Sequence, residues 1–355
     1  VRLLFITQVL DREDPILGFT VRWIEGLARQ TEAVRVMALE VGDTSGLPAS
    51  VDWRVVGRRG RVGRWLRFRR HLREAFADGF GHVLTHMVPR YSLLAAGPAR
   101  RAGARHFMWY THAGVDARLR RAVHEVERVF TASPDSLRLE VPGKTVTGHG
   151  IDLAALPFQP PAPQDPPILL SAGRMTPAKD PLTVLDAVAR LRAEGRPVEL
   201  EWAGGTLAEG DPAYARIVEA RIAELGLKRH VRLLGPVPHH RMAEVFGRCS
   251  VFLSASRTGS VDKVVLEAMA TGRPAVTSNP SFGWVFEPLG PELAPSLTFP
   301  EGDAKALAQR VADLLDRPEA ARLRESESLR GLVRERHEVD ALMGRLVALM
   351  EGPRP

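Results

Sequence analysis

Leu156–Pro167 reads LPFQPPAPQDPP, and ILLSA, Ile168–Ala172, follows it directly. Six prolines in twelve residues can neither donate to a sheet ladder nor continue a helix, so this stretch is expected to be a linker. The apolar run after it restarts a pattern that already fills the first half of the chain. Strands are expected at Arg2–Thr7, Val34–Leu39, Val51–Val56, His82–Met87, His106–Thr111 and Val129–Ala132, mostly separated by helix-length segments. Among those segments 19–30 has Trp23, Ile24 and Leu27 on one face. Beyond the prolines the expected strands are Ile168–Ala172, Val198–Ala203, Val231–Leu234, Val251–Ser254 and Ala275–Ser278. Strands alternating with helices predict parallel sheets covered on both faces. The chain is therefore expected to be α/β with two doubly wound domains, residues 1–155 and 168–335, joined by the linker 156–167 and followed by a final helical segment, 336–355. Ligands bind such sheets beyond the carboxyl ends of the strands, where the strand order reverses, and the cleft between the two domains is the expected site.

The chain has 355 residues, 45% hydrophobic and 26% charged, enough for two sizeable cores. Its 31 glycines and 27 prolines are scattered, which excludes a collagen-like or low-complexity protein. One cysteine, Cys249, allows no internal disulfide and no cysteine-based zinc site, so a reducing, cytoplasmic compartment is expected. No apolar run approaches the roughly 18 to 20 residues of a membrane-spanning helix. Val1–Thr7, followed by Asp11, Glu13 and Asp14, is too short for a signal-peptide core, and a soluble protein is expected.

The net charge of +7 is unevenly placed. Residues 1–150 carry 24 Lys and Arg against 15 Asp and Glu, and the rest carry 25 against 27. Nine arginines and no acid lie between Arg54 and Arg73. Such a block attracts an anionic membrane face or a phosphorylated substrate; the plainer reading is a solvated helix face in a chain with only five lysines among 49 cations. Nothing interleaves aromatics with this block as a nucleic-acid platform does, so nucleic acid is not an expected partner.

Two constellations at strand ends carry chemistry. In Ser171–Pro181, SAGRMTPAKDP, Gly173 permits a tight turn, Arg174 and Lys179 supply two cations, and Asp180 stands as the cap of the next helix. Two cations beside a helix start suit a diphosphate without a metal; the alternative is a loop with a solvated Arg and Lys. In Ser254–Val276, SASRTGSVDKVVLEAMATGRPAV, a turn holding Thr258, Gly259 and Ser260 leads into a helix from about Asp262, whose carboxylate suits the first turn. Lys263 and Glu267 are four apart, the spacing of a surface ion pair. A Gly/Ser turn at a helix start also delivers backbone amides to an anion.

Taken in order, GRMTPAKD, VRLLGPVPHHRM, VFLSAS and VVLEAMATGRPAV resemble the donor half of the retaining glycosyltransferases of family 4, which have the GT-B fold. GFTVRWIEGLA, WYTHAG, VFTASPDSLRL and VTGHGID extend the resemblance more weakly through the first half, so that it covers nearly the whole chain. It implies two Rossmann-like domains facing across a cleft and a hexosyltransferase-type enzyme. It implies that Arg174 and Lys179 hold the diphosphate of a UDP- or GDP-linked sugar, that Glu267 bonds the ribose, and that the backbone at Val237 and Pro238 contacts the base. Gly173, Gly259, Ser260, Asp262 and Lys263 complete the donor side. Gly18 lies in the loop facing the phosphates, and His112 lies near the donor sugar. One departure stands out: the family pairs two glutamates with seven residues between them, and the first falls here on Gly259. Either backbone amides with Ser260 grip the sugar, or Asp262 takes over.

Cleaving a sugar–diphosphate bond builds negative charge on the leaving group, so fixed cations lower the barrier. Arg174, Lys179 and Lys263 are the expected stabilisers, with no metal and no cofactor; His112 is expected beside them. Retention follows from the resemblance alone. His149, His239 and His240 are expected to be structural, and no histidine spacing suggests a metal site. The acceptor, lipid-linked or a soluble glycan, is expected on the first domain, with Arg54–Arg73 touching the inner face of an anionic membrane if it is lipid-linked. A sugar-nucleotide epimerase and a nucleotide-sugar-binding regulator without turnover are the competing readings. Helices are expected over 303–315, 318–329 and 339–350, the last crossing back to the first domain by analogy.

Overall fold

Four consecutive apolar side chains, Leu3 to Ile6, are fully buried because the strand Arg2–Ile6 lies inside a parallel sheet covered on both faces. The computed structural model describes residues 1–14, 16–205 and 212–354 and divides into two units, Val1–Gly150 with Arg336–Pro355, and Ile151–Glu335.

The main sheet of the first unit has seven strands in the order Val51–Val55, Ala33–Ala38, Arg2–Ile6, His82–His86, Arg105–Trp109, Arg128–Thr131, Lys144–Val146. All neighbours are parallel, and the order reverses between Arg2–Ile6 and His82–His86. Alternation along the strand divides the core. Leu3 and Phe5 pack with Trp23, Ile24 and Leu27 of the helix Phe19–Gln30, while Leu4 and Ile6 pack with Phe68, Leu72 and Tyr91 of the helices Arg61–Ala77 and Pro89–Arg101. The helix Val339–Glu351 completes the first of these cores with Leu342, Met343 and Leu346. It lies so close to Phe19–Gln30 that a Cβ on Gly26 would stand 2.8 Å from Met343 Cγ. Arg22 reaches both carboxylate oxygens of Asp340, at 2.9 and 2.7 Å, and fixes the pair.

The second unit has five parallel strands in the order Val231–Gly235, Glu199–Ala203, Ile168–Ala172, Val251–Ser254, Ala275–Thr277, reversing between Ile168–Ala172 and Val251–Ser254. Helices Pro181–Ala193, Lys263–Ala270 and Ala304–Leu315 join it in one core. The stretch 156–167, expected as a linker, packs on this unit: Leu156 is buried in its core, Gln159 N donates to Thr271 O at 3.1 Å, and Ser250 Oγ donates to Gln164 Oε1 at 3.1 Å. The two glutamines supply the hydrogen bonds that the prolines around them lack. The helix expected over 318–329 runs on through Gly331 to His337, with no proline in that stretch to stop it.

Candidate functional site

The reversal point of the second sheet gathers most of the expected residues. Ser171 Oγ donates to Leu253 O at 2.9 Å and ties the two central strands together near their carboxyl ends. Gly173, at φ +131°, then turns the chain; its N–H donates to Ala203 O at 2.8 Å and its carbonyl accepts from Trp202 Nε1 at 3.0 Å. Gly204 is packed so tightly here that a Cβ on it would lie 2.3 Å from Gly173 O. Arg174 is exposed and makes no side-chain hydrogen bond or ion pair among the described residues.

Lys179 lies half-buried across Gly173, its ammonium donating to Asp262 Oδ1 at 2.5 Å and to Ser256 Oγ at 3.2 Å. Ser256 Oγ is 3.0 Å from Thr258 Oγ1, and Asn279 Nδ2 donates to Asp262 Oδ2 at 3.3 Å and to Ser260 O at 2.6 Å. Asp180, in left-handed backbone at φ +41°, caps the helix Pro181–Ala193 through Thr183 and receives Arg257 Nη2 at 2.5 Å. These bonds sew the loops that follow neighbouring strands into one polar network.

Asp262 does not serve the helix it precedes. No side chain caps Lys263–Ala270, because the carboxylate of Asp262 turns to the Lys179 ammonium and the Asn279 amide. Gly259, where the family's first glutamate would fall, is buried with φ +67°, a backbone that disfavours any side chain.

Glu267 is 5% exposed, 3.3 Å from Lys263 Nζ and 2.9 Å from His239 Nε2. The spacing suggests a surface bridge; Glu267 is instead buried and Lys263 half-buried. Burial alone would raise the carboxyl pKa, but Lys263 and the hydrogen bond from His239 outweigh it and hold the group ionised, with a pKa of about 2. His239, expected to be merely structural, thus orients Glu267. Val237 is half-buried and Pro238 exposed at the entry to the short turn His239–Arg241.

Gly18 and His112 belong to the first unit. A Cβ on Gly18 would lie 2.6 Å from Arg12 O and 2.7 Å from Asp14 O, so the loop before the helix Phe19–Gln30 needs glycine there. His112 is exposed, its Nδ1 accepting from Gly114 N at 2.9 Å and its backbone N–H donating to Ser136 O at 2.7 Å. Sequence reasoning missed Ser256, Arg257 and Asn279; Ser256 and Arg257 stand just past a strand end, where polar residues are a usable signal, whereas nothing local marks Asn279. Among the described residues no three His, Cys, Asp or Glu side chains gather as a metal site requires, and no helix is long and apolar enough to cross a membrane.

Residues 154–328 match the family model for glycosyl transferases group 1. Part of the chain is 29% identical, over 177 residues, to a D-inositol 3-phosphate glycosyltransferase of Jonesia denitrificans; the match covers 45% of this chain and 39% of that protein. The chain thus spans well under half the length of that relative. Two solved structures share the fold over almost the full length. A glycosyltransferase from Rickettsia africae superposes with a TM-score of 0.77 at 14% identity, covering 99% of this chain and 97% of that one. HepE of Anabaena in complex with UDP gives 0.76 at 16% identity, covering 98% of each. The chain thus shares the two-unit α/β fold of these structures, and the group 1 glycosyl transferase match lies in its second unit.

Proposed function

We propose that this chain transfers a sugar from a nucleotide-diphosphate sugar, UDP- or GDP-linked, to an acceptor hydroxyl, without a metal and with retention of configuration. The observation that carries the reading is the pairing of an unpartnered exposed guanidinium, Arg174, with the networked ammonium of Lys179 at the reversal point of the second sheet. An ammonium has three N–H groups, and Asp262 and Ser256 engage two, which leaves one for a phosphate oxygen. The uncapped first turn of Lys263–Ala270 adds backbone amides of the same polarity.

As the anomeric C–O bond breaks, its electron pair passes to the terminal phosphate. Arg174 and Lys179 stabilise that charge, the acceptor hydroxyl adds to the same face, and its proton goes to the departing phosphate oxygen. Each such donor is worth about 2.7–4 kcal/mol of barrier. Lys263 lends further positive charge, and ionised Glu267 accepts the ribose hydroxyls. The backbone at Val237 and Pro238 meets the base, and Gly173, Gly259, Ser260 and Asp262 shape the sugar and phosphate pocket. Gly18 and His112 serve the phosphates and the sugar from the first unit. The UDP held by HepE is the model for the nucleotide here.

The acceptor, a glycan or a lipid-linked compound, belongs to the first unit. The helix Arg61–Ala77 exposes Val62, Trp65 and Leu66 among arginines of the Arg54–Arg73 block, a mixture suited to peripheral attachment on the inner face of an anionic membrane. A second reading, a nucleotide-sugar binder without turnover, draws on the buried left-handed Gly259.

The test is release of UDP or GDP from a panel of sugar nucleotides in the presence of candidate acceptors, followed by mass spectrometry, with Lys179→Ala as control. Release that Lys179→Ala abolishes supports transfer; tight nucleotide-sugar binding with no release across the panel supports the binder.

A further inference from the structure

A cavity of about 210 Å³ opens in the first unit, lined by none of the donor-side residues named above. Gln8, Leu39, Val56 and Val88 line it, each just past the carboxyl end of a strand. Its walls are the first turns of Arg61–Ala77 and Pro89–Arg101, bearing Arg61, Arg64 and Arg90, with Phe68 and Tyr91 behind them.

Both helices start against their own dipoles. Neither has a side-chain cap or an acidic residue in its first turn, and both place arginine where an anion is favoured. Arg35, Arg54, Arg58 and Arg70 nearby all reach carboxylates, whereas Arg61, Arg64 and Arg90 pair with none among the described residues. No Asp or Glu lines the cavity. The loop before the first helix is nonetheless fixed, since Arg67 Nε donates to Val56 O at 2.6 Å. Arg64 Nη1 donates to Arg58 O at 3.2 Å, and no carboxylate among the described residues neutralises the three guanidinium groups.

Tyr91 supplies the second observation. It is 6% exposed, its ring stacks on Phe68 at 6.1 Å, and its hydroxyl lacks a hydrogen-bond partner among the described residues. Burial pushes its pKa up to about 12 against the charges of Arg58, Arg64 and Arg90, so it remains an O–H donor. Tyr91 thus offers a hydroxyl at the cavity wall for which no acceptor stands among the described residues.

We infer that this cavity binds a phosphate monoester, with Arg61, Arg64 and Arg90 around the phosphate, Tyr91 Oη donating to it, and the apolar wall of Leu39, Val56 and Val88 against its carbon portion. Guanidinium forks match phosphate oxygens pairwise, and the cavity accommodates one such group with a short organic part. Resting on the glycosyltransferase reading, this phosphate belongs to the acceptor, which is either a small soluble phosphate ester or the headgroup of a phosphatidate-type lipid.

The experiment is equilibrium binding by the full chain. Glycerol 3-phosphate is titrated by calorimetry with glycerol as the uncharged control, beside flotation on phosphatidylcholine vesicles with and without phosphatidic acid, and UDP is titrated separately. Glycerol 3-phosphate or phosphatidate vesicles are expected to bind and their uncharged counterparts not to. Arg90→Gln and Tyr91→Phe are each expected to weaken that binding about tenfold or more while UDP affinity is unchanged. Arg90 is exposed and Tyr91→Phe keeps the stacked ring, and melting curves check that both variants fold. Binding confined to the soluble ester identifies a free phosphate compound, and binding confined to vesicles identifies a lipid. Absence of both, or binding indifferent to both substitutions, overturns the site. UDP binding without phosphate binding leaves the donor reading standing and removes this one; phosphate binding without UDP leaves this site standing and removes a UDP-linked donor.

Discussion

Lys179 Nζ lies 2.5 Å from Asp262 Oδ1, although the two residues are 83 apart in sequence and on loops after different strands. The carboxylate holds the ammonium in place and also competes for it. Replacing Asp262 by Asn keeps a hydrogen-bond acceptor and removes the competing charge. Asp262→Asn is expected to tighten UDP binding several-fold and to cost about 1–3 kcal/mol of stability, less than for a fully buried pair because Lys179 retains some exposure. Calorimetric titration with UDP and a denaturant melt read the two effects. A loss of UDP affinity as large as that in Lys179→Ala would mean that Asp262 itself touches the donor.

Acid is expected to attack the Glu267 site in a defined window. The folded pKa, about 2, is below the ordinary value of 4.5, so the unfolded chain takes up the proton first as pH falls. The stabilisation is fully present above about pH 4.5 and fades as pH drops toward about 2; a shift of this size corresponds to something on the order of 3 kcal/mol. Unfolding of Glu267→Gln followed against pH should show a deficit relative to the natural chain that shrinks across that window. A deficit independent of pH would assign the loss to packing.

A second acid response belongs to the first unit. Burial lowers the pKa of His86 and His106 to about 4, and burial with Arg345 and Arg336 lowers that of His337 to about 3. These imidazoles are neutral in the fold and protonate more readily once unfolded, so stability is complete above about pH 6.5 and declines as pH falls toward about 4. Hydrogen exchange followed by mass spectrometry should show amides of Arg2–Ile6 and His82–His86 losing protection between about pH 7 and pH 5, after correction for the intrinsic rate. Unchanged protection there would mean that opening of this sheet is insensitive to the three histidines.

Gly204→Ala probes the backbone under the cationic loop. The new methyl would meet Gly173 O at 2.3 Å and Gly173 C at 2.8 Å, from a backbone at φ +124°. Neither obstacle is a side chain that can swing away. A destabilisation above about 2 kcal/mol is expected, together with UDP binding weakened at least tenfold in the molecules that remain folded. Tight UDP binding by a stable Gly204→Ala protein would separate the turn at Gly173 from nucleotide binding.

Local pattern made much of this legible. Phe19–Gln30 declares itself by its apolar face, and Leu3 to Ile6 by an unbroken apolar run. Lys144–Val146, three residues with two polar ones, gives periodicity nothing to detect. The cations at 174 and 179 are visible because they follow a buried strand. Their surroundings are not, since the bonds from His239 to Glu267 and from Asn279 to Asp262 depend on which strands lie side by side. That order is decided by the packing of whole elements, and no window of neighbouring residues contains it. Asp262 shows the same limit: a carboxylate at a helix start reads as a cap until the ammonium of a distant loop is seen to claim it.

The helix Val339–Glu351 has a consequence for biosynthesis. On the ribosome, every piece of the unit Ile151–Glu335 emerges as one uninterrupted stretch and can condense as it appears. The unit begun by Val1 has to wait, with Trp23 and Leu27 only partly covered, until the segment bearing Leu342 and Leu346 has been made. The half translated first is thereby the half that matures last.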